Sequence, residues 1–521
     1  MTLPPVPDDL PLAVGKPLDT VIAVSHPDDT ARTDRDRSLV HGVAWNGIVK
    51  LLVQAAAWGS TLVVARLLSP DDYGVMGLAA LFLGLIELVT EFGIGIAVAT
   101  RKDLTQHQAE ELNSVAALMG IGGTLVICAI APLAGRFFHD SRLPAVLVAL
   151  SATFFLSSFR SVPWGLLQRD LRFKRLAIYD GAQALALAAL SVVLALLGFR
   201  YWTLVIASVA SAVISATIAI TKHPVRFRRP RVTELRPLLS FSGNIVGQRM
   251  AWYGYSNSDF FVAGKMLGSG PLGNYSLAWN LSHITDKLTT LVLQVTPPVL
   301  AKVQDDKAEL RRYVLRISEA MSLTVMPLMI GLALVASDFV PLVLGPQWHA
   351  MIFPLQVLSA YAIVNVVLPL FAQVLNVTGH ESFGMRHNIL QFIVMPCLFA
   401  IGAYLDGVNG IVLAWVLGHP FLGLRLARYT LKSIDLPLRK YVLDALGPAI
   451  IACLAMSAAV IATHALLPSS TPAIARLIGE IVIGASAYLG TLLIFFSKRV
   501  ADIKGFVQQT ARLRGVSGAR T

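Results

Sequence analysis

Three cations lie inside stretches of sequence that are otherwise apolar: Lys50, Arg249 and Lys287. Ionisable side chains at membrane depth cost free energy, so each of them is a candidate for a functional residue. Ammonium and guanidinium groups bind phosphate and carboxylate. The three residues therefore predict a cationic cavity that binds an anionic headgroup while a lipid tail stays in the bilayer. Snorkelling to the membrane interface is the alternative explanation for Lys50.

Acidic and amide side chains accompany these cations. Glu87 and Glu91 are four residues apart and share a helix face. They are candidates for coupling to H⁺ or Na⁺, or for an ion pair with Lys50. His283 and Asp286 are further candidates for coupling or ion pairing; His283 would share a face with Lys287, although a histidine bonded to a neighbouring helix explains it equally well. The amides predicted to line the same cavity are Asn46, Gln54, Asn244, Gln248 and Asn280.

The three cysteines, Cys128, Cys397 and Cys453, lie in apolar stretches without metal-ligand spacing. We read them as small hydrophobic residues. The sequence therefore predicts no catalytic residue, no metal site and no cofactor beyond a coupling ion, H⁺ or Na⁺.

The composition is that of a membrane protein. The mean hydropathy is +0.65 and 14% of the residues are charged, which does not suit a soluble fold. A bilayer core requires about 20 apolar residues per helix. The sequence predicts an all-α polytopic membrane protein with about 14 transmembrane helices, near 43–66, 75–99, 112–134, 143–159, 177–198, 201–220, 238–263, 272–298, 314–336, 351–373, 385–404, 408–424, 443–466 and 477–496.

Lys and Arg alternate between the two sides of the predicted helices. Of the 43 cations, 34 fall in the two tails and in every second gap, six in the other gaps and three inside apolar segments. The positive-inside rule assigns the basic side and both termini to the cytoplasm. The net charge of +12 is explained by this topology and by anionic headgroups, so we expect no nucleic-acid partner.

A repeat relates the two halves of the chain. Residues 63–79 (VVARLLSPDDYGVMGLA) match residues 262–278 (VAGKMLGSGPLGNYSLA) at a constant offset of 199. Arg66 corresponds to Lys265, and Gly74 corresponds to Gly273. Six predicted helices separate the copies, so both halves insert with the same orientation and are related by an axis along the membrane normal. Two six-helix lobes around a central plane are an architecture typical of alternating access.

The predicted organisation follows from these patterns. It comprises a disordered cytoplasmic tail (1–41), an N-lobe with transmembrane helices 1–6 (42–220), a basic linker (221–237), a C-lobe with helices 7–12 (238–430), helices 13 and 14 (431–496) and a basic cytoplasmic tail (497–521).

Four stretches, in this order, resemble the polysaccharide-transport branch of the multidrug/oligosaccharidyl-lipid/polysaccharide exporter superfamily. They are ARLLSPDDYGVMGLA (65–79) with EFGIGIA (91–97), FRSVPWGLLQRDLRFKRLA (159–177), NYSLAWNLSHITDKL (274–288) with TPPVLAKVQDD (296–306), and VPLVLGPQWHAMIFPLQVLS (340–359). The resemblance covers about residues 40–430. The chain departs from it in a longer N-terminal tail and in EFG where the family more often has DFG, which leaves the coupling role of Glu91 open.

The resemblance implies a fourteen-helix, two-lobed flippase in the bacterial inner membrane. Its substrate would be an undecaprenyl-pyrophosphate-linked oligosaccharide for exopolysaccharide, capsule or O-antigen assembly. A polymerase and a chain-length regulator of the same pathway would be its partners. Family cavities are cationic, and the resemblance extends to Lys287; Lys50 and Arg249 rest on the residue patterns alone.

Three alternatives remain at this point. An ion-coupled multidrug antiporter of the same superfamily would depend on an acidic site in the N-lobe. A lipid II flippase would use the same chemistry on another glycan. An integral-membrane polymerase or ligase would require a large outer loop, whereas the longest outer gap here, 337–350, is short.

Overall fold

Apolar segments rich in Leu, Ala and Val form helices here because a bilayer leaves backbone groups no partner except one another. The computed structural model describes residues 53–90, 94–95, 98–99, 104–170, 172–231, 253–254, 256–468 and 470–499, all within one compact unit. Every regular element in these ranges is helical. Nine helical stretches among the described residues are long and apolar enough to cross a membrane. The predicted all-α polytopic membrane fold is confirmed, and the count of 14 spans stays a prediction.

The helices of the first half correspond to the predicted apolar segments. They are α1 (53–67), α2 (Pro70–Thr90), α3 (Gln106–Phe138), α4 (Leu143–Arg169), α5 (Phe173–Leu196) and α6 (Trp202–Lys222). Polar residues define some of the ends. Thr105 accepts a hydrogen bond from the backbone of Gln108, whose side chain accepts from the Thr105 backbone, and this reciprocal cap starts α3.

The second half contains more and shorter helices. They are α7 (Ser258–Leu267), α8 (Ser269–Ser282), α9 (Asp286–Lys302), α10 (Lys307–Phe339), α11 (Ile352–Asn365), α12 (Leu368–Val377), α13 (Glu381–Ser433), α14 (Gly447–Leu466) and α15 (Ala473–Phe495). Two predicted helices are each divided, 272–298 into α8 and α9 and 351–373 into α11 and α12.

The break between α8 and α9 corrects one prediction. His283 and Lys287 do not share the face of one helix, because α8 ends at Ser282 and α9 begins at Asp286. The Ser282 hydroxyl hydrogen-bonds to the Trp279 carbonyl, and the His283 ring nitrogen Nδ1 lies 2.9 Å from the same oxygen. Side chains that bond to nearby carbonyls compete with the helical ladder.

Helix α13 consists of two antiparallel arms joined by a tight hairpin at Asp406 and Gly407. Gly407 has a φ of +55°, a backbone conformation that glycine adopts without penalty. Just beside the hairpin the arms approach so closely that a Cβ at Gly402 or at Gly410 would overlap the carbonyl of the other. Small residues permit this backbone approach between membrane helices. The arms correspond to the predicted helices 385–404 and 408–424.

Two groups of helices pack separately and meet in one place. Helices α2–α6 pack on one another, as do α7–α13, while α14 and α15 pair and lie against α10. The two groups are joined mainly by α2 against α8, with smaller contacts of α7 to α2 and α3. The largest core cluster spans this junction and includes Leu78 and Phe138 on one side and Leu272, Tyr275 and Trp348 on the other.

We expect Gly410→Leu to destabilise the protein by about 1–3 kcal/mol, because the added side chain must separate the two arms of α13. The measurement is the midpoint of thermal unfolding in detergent. Gly384→Leu is the matched control, since a Cβ at Gly384, in the same helix, meets no atom within 4 Å. Equal midpoints for the two variants would show that the close approach of the arms contributes nothing to stability.

Candidate functional site

The two copies of the sequence repeat meet at the end of the molecule that the charge bias assigns to the outside, called the outer end below. A Cβ at Gly74 would overlap the Ser269 carbonyl, and a Cβ at Gly273 would overlap the Pro70 carbonyl. At the offset of 199, Ser269 is the equivalent of Pro70. The first turns of α2 and α8 therefore contact each other through a pseudo-twofold pair of glycine contacts. We call this junction the outer seam.

The repeat-equivalent cations Arg66 and Lys265 cross the seam in opposite directions. Arg66 donates from Nη1 to the carbonyls of Leu342 and Val343, at 2.5 and 3.0 Å. Lys265 donates from Nζ to the carbonyl of Phe137 at 2.6 Å. The acceptors lie at the ends of α3 and of the helical segment that continues α10. Cations are stabilised at helix C-termini, where carbonyls have no helical partner.

A polar network extends the seam. Arg142 forms a bidentate pair with Asp140, at 2.8 and 3.0 Å, and donates to the Ser269 hydroxyl at 3.0 Å. Ser269 donates in turn to Asp71 at 2.8 Å. Burial by itself would raise the pKa of Asp140, but hydrogen bonds from Arg142, the charge of Arg142 and a contact with Ser269 outweigh it and hold the pKa below the ordinary value.

Aromatic and amide side chains close the same junction between α1 and residues 340–351. The buried Trp348 donates from its indole nitrogen to the Ala65 carbonyl at 2.7 Å, and its ring meets Tyr73 edge to face. Gln347 donates to the Arg66 carbonyl at 2.9 Å. These contacts satisfy backbone groups near the end of α1 that would otherwise be buried without a partner.

The contact between the two helix groups continues towards the middle of the membrane. A Cβ at Gly77 would touch Leu272 and the hydroxyl of Ser276. Further along α2, the Tyr253 hydroxyl lies 3.1 Å from the carbonyls of both Ala80 and Leu81. The two groups of helices are thus joined from the outer end to about the middle of α2.

A buried carboxyl lies in the second group, close to the seam. Asp259 is fully buried, and its Oδ2 accepts hydrogen bonds from the Tyr275 hydroxyl and, at 3.2 Å, from the Trp415 indole nitrogen. The other oxygen, Oδ1, has no hydrogen-bond partner. A buried carboxyl without full satisfaction is expensive, so it is a candidate functional group.

Half of the twelve predicted site residues lie outside the described ones: Asn46, Lys50, Glu91, Asn244, Gln248 and Arg249. Glu87 belongs to α2 and Lys287 to the first turn of α9, but the positions of their side chains are not described. Gln54 is half-buried in α1, and Asn280 and Asp286 are exposed. His283 stacks on Trp279, with ring centroids 3.9 Å apart. The described residues thus do not test the predicted grouping of the cations, which stays a prediction.

Sequence reasoning missed the partners of Asp259 and the histidines near them. Asp259 was visible as an acidic residue in an apolar helix, yet Tyr275 and Trp415 resemble ordinary membrane aromatics. His387 and His419 also lie in long apolar stretches, and this was the available signal. Their relation to Asp259 depends on how α8 and α13 pack on α7, which no local spacing reveals.

One group of potential metal ligands occurs among the described residues, at the outer ends of α10, α14 and α15. Ligand atoms of Asp338, His464 and Glu480 lie within 4.8 Å of one another. Arg476 already donates to both oxygens of Asp338, at 2.6 and 3.0 Å, and His464 Nδ1 lies 2.8 Å from Glu480. Because the Arg476 guanidinium already occupies both oxygens of Asp338, the group fits an ion-pair cluster that holds α15 on α10 better than it fits a metal site.

We expect Gly74→Val to open the outer seam, because the side chain overlaps the backbone of α8. The reporter is Ser276→Cys in a chain whose three native cysteines are replaced by Ala, labelled from outside with a membrane-impermeant maleimide. The valine should raise the labelling rate at least about tenfold. This is the change expected if the side chain shifts the equilibrium between a closed and an open seam by about 1.4 kcal/mol. Gly59→Val, which meets no atom within 4 Å, is the control, and equal rates in both variants would contradict the role of the seam.

The pH dependence of the seam follows from Asp140. The pKa of Asp140 is lowered in the folded protein. The contribution of this carboxylate to stability is therefore fully present above the ordinary pKa of about 3.9, and it is lost as the pH falls through the pKa of the folded state. The labelling rate of the same reporter, divided by the rate of a fully exposed reference cysteine to correct for the thiolate fraction, should stay constant from about pH 8 to 5 and increase only below about pH 4. Asp140→Asn should label faster throughout. A transition near pH 6 would instead indicate a histidine.

Comparison with known proteins places this chain in a family. Residues 63–354 match the family described as polysaccharide biosynthesis protein. The lipopolysaccharide biosynthesis protein WzxC of Escherichia coli K12 is 22% identical over 387 residues, which cover 73% of this chain and 78% of WzxC.

Two solved structures share the fold. The lipid II flippase MurJ, in an inward closed conformation, superposes with a TM-score of 0.68 at 13% identity, over 88% of this chain and 100% of MurJ. An inward-facing multidrug resistance transporter of the MATE family superposes with a TM-score of 0.59 at 14% identity, over 74% and 94%. At these identities the likeness shows the fold alone. Because the family match extends over more than half of the sequence, the chain belongs to the polysaccharide biosynthesis protein family.

Proposed function

We propose that this protein is a flippase of the bacterial inner membrane. Its cargo is an undecaprenyl-pyrophosphate-linked oligosaccharide repeat unit, moved from the inner to the outer leaflet for exopolysaccharide, capsule or O-antigen assembly. The observation that carries the proposal is that the chain belongs to the polysaccharide biosynthesis protein family. Its polytopic fold, in which the two repeats meet at the outer seam, supports a transport role. The similarity to WzxC, a lipopolysaccharide biosynthesis protein, supports the same class of cargo.

The cations carry the recognition of the cargo in this proposal. A pyrophosphate presents several anionic oxygens, and ammonium and guanidinium groups bind them with charge-assisted hydrogen bonds. Lys50, Arg249 and Lys287 supply these groups, and Asn46, Gln54, Asn244, Gln248 and Asn280 bond sugar hydroxyls. The polyprenyl tail stays in lipid, since its transfer through a polar cavity would cost the free energy of its apolar area.

The outer seam gives this transport its gate. A headgroup enters from the cytoplasm while the repeat-equivalent turns remain closed against each other at the outer end. Separation of the seam then exposes the headgroup outside. Because the contacts of the seam are related by pseudo-symmetry and the helices of each group pack mainly on one another, the two helix groups can separate as rigid bodies.

The protein is a transporter and not an enzyme. The sequence contains no G-x-x-x-x-G-K-[ST] phosphate loop, so the driving force comes from an ion gradient, from the membrane potential or from consumption of the product outside. Glu87, Glu91, His283 and Asp286 are the coupling candidates from the sequence. Both termini lie in the cytoplasm in this topology, and a polymerase and a chain-length regulator would act on the exported unit.

We expect Lys287→Ala and Arg249→Ala to lose at least about 90% of surface polysaccharide in a deletion strain that expresses each variant at the level of the parent. Loss of one charge-assisted contact to phosphate costs about 1.5–3 kcal/mol, which corresponds to roughly 10- to 150-fold weaker binding. The measurement scores surface polymer and the leaflet in which undecaprenyl-linked intermediates accumulate. The intermediates should collect on the cytoplasmic leaflet.

Lys302→Ala is the matched control, because Lys302 ends the same helix α9 but is exposed. Lys287→Arg, which keeps the charge, should retain partial export. Normal polymer in the deletion strain itself would contradict the flippase assignment. Rescue of a strain depleted of its lipid II flippase would redirect the assignment to that cargo.

A further inference from the structure

The interior of the second helix group contains a carboxyl that the proposed headgroup site does not use. Asp259 lies nine residues before Gly268 at the outer end, which is about 14 Å along a helix. The core of a bilayer is about 30 Å thick, so this fully buried side chain is close to the middle of the membrane.

The described surroundings of Asp259 supply hydrogen bonds but no counter-charge. Tyr275 from α8 and Trp415 from α13 both donate to Oδ2, and the backbone N–H groups of Asp259 and Phe260 at the start of α7 also stabilise the carboxylate, while Oδ1 has no side-chain partner. Where α2 and α3 approach α7 at Gly264, they present the apolar side chains of Leu78 and Phe138. Among the described residues, neither Lys nor Arg forms an ion pair with this carboxyl.

Two histidines continue from Asp259 towards the inner end. His419 lies one turn beyond Trp415 on the second arm of α13, with the two rings 5.6 Å apart. Its Nε2 is 3.0 Å from the amide nitrogen of Gln391, on the first arm. His387 lies one turn before Gln391 and is only six residues from the inner end of α13, about 9 Å along the helix.

These side chains share an incomplete set of hydrogen bonds. The Gln391 side-chain amide bonds to Nε2 of His419 at 3.0 Å, whereas Nδ1 of the same ring has no partner. Nδ1 of His387 and Oδ1 of Asp259 are likewise buried without a partner. Buried polar atoms of this kind usually bond to ordered water. Three such atoms, each on a group that can hold a proton, occur between the middle of the membrane and its inner side.

We propose that the second helix group contains a proton-binding site at Asp259, which exchanges protons with the cytoplasm through His419 and His387. The proposal rests on the flippase function and names its coupling ion. In the part of the chain that the structure describes, the other titratable or charged groups that face this row are Tyr275 and His283 from α8 and its end, Tyr361 from α11 and Arg425 from α13.

The transfer is a simple acid–base relay. A proton from cytoplasmic water binds Nδ1 of His387 and passes through water to His419. His419 accepts it at Nδ1 when the Gln391 amide turns its oxygen towards Nε2–H of the ring. Water then carries the proton from Nδ1 of His419 to Oδ1 of Asp259. An O–H bond forms at the carboxyl, an N–H bond breaks at each imidazolium, and no group is oxidised or reduced. Na⁺ fits less well, because the donors at Oδ2 direct their hydrogens at the carboxylate, and an alkali ion requires several oxygen ligands.

The position of Asp259 connects proton binding to the outer seam. Tyr275 lies two residues after Gly273, and Asp259 lies six residues before Lys265 on α7. An ionised Asp259 binds Tyr275 and Trp415 through charge-assisted hydrogen bonds and holds α7, α8 and α13 together. Protonation weakens both bonds, so it loosens the two helices that form one side of the seam.

Infrared difference spectroscopy of the purified full-length protein in liposomes tests this site without any substrate. A carbonyl band from a protonated carboxylic acid should grow as the pH is lowered, be absent in Asp259→Asn and be unchanged in Asp406→Asn, which alters an exposed aspartate. In the double variant His387→Gln, His419→Gln the band should form at least tenfold more slowly after a pH jump. His349→Gln, an exposed histidine, should leave the rate unchanged.

Three outcomes would overturn the proton site: the same band in Asp259→Asn, unaltered kinetics in the histidine double variant, or a signal that follows Na⁺ at constant pH. If Asp259→Asn does not fold, Trp415→Phe decides the question, since removal of a donor to the carboxyl must shift the frequency of its band. The infrared band is measured without cargo, so it reports on the proton site whatever the protein transports. Normal polymer in the deletion strain would therefore refute the flippase function without refuting the proton site. Normal export by Asp259→Asn at every external pH would refute the coupling alone.

Discussion

The closed state of this protein depends on the approach of two backbones at glycine. Gly74 and Gly273 occupy equivalent positions in the two repeats, and each leaves room for the carbonyl that the other repeat presents. Association of helices in lipid relies on packing and hydrogen bonds, since burial of apolar area gains little there. Small side chains are therefore the means by which α2 and α8 obtain a close contact.

Pseudo-symmetry extends from the glycines to the charges. Arg66 and Lys265 occupy the same position of the repeat, and each donates a hydrogen bond to the end of a helix that belongs to the other half. Because each contact at the seam has a repeat-equivalent partner contact, loss of one contact removes the alignment of the other. The two contacts therefore form or separate together. In the proposed transport cycle, such a paired contact allows the outer end two arrangements, joined or separated.

The two helix groups bury their titratable residues in different places. Asp259 and His419 lie among α7, α8 and α13, whereas the buried acids of the first group, such as Asp72, Glu111 and Asp140, lie near helix ends. An asymmetry of this kind within a symmetric architecture assigns different tasks to the two halves. We infer that the second half responds to protons and that both halves hold the cargo.

The sequence by itself determined the all-helical membrane fold class and indicated most of the helical segments and the repeat, because a bilayer requires long apolar segments to form helices. The orientation that the charge bias indicates stays a prediction. Asp259 lies within the predicted helix 238–263, but no spacing in the sequence singled it out. Only the tertiary structure decided that His283 and Lys287 belong to different helices, since side chains that compete for a carbonyl ended α8 early. Likewise, only the packing of α7, α8 and α13 brought Tyr275 and Trp415 to one carboxyl oxygen of Asp259. These two residues are 16 and 156 positions from Asp259 in the sequence, so their contacts follow from helix packing and not from local spacing.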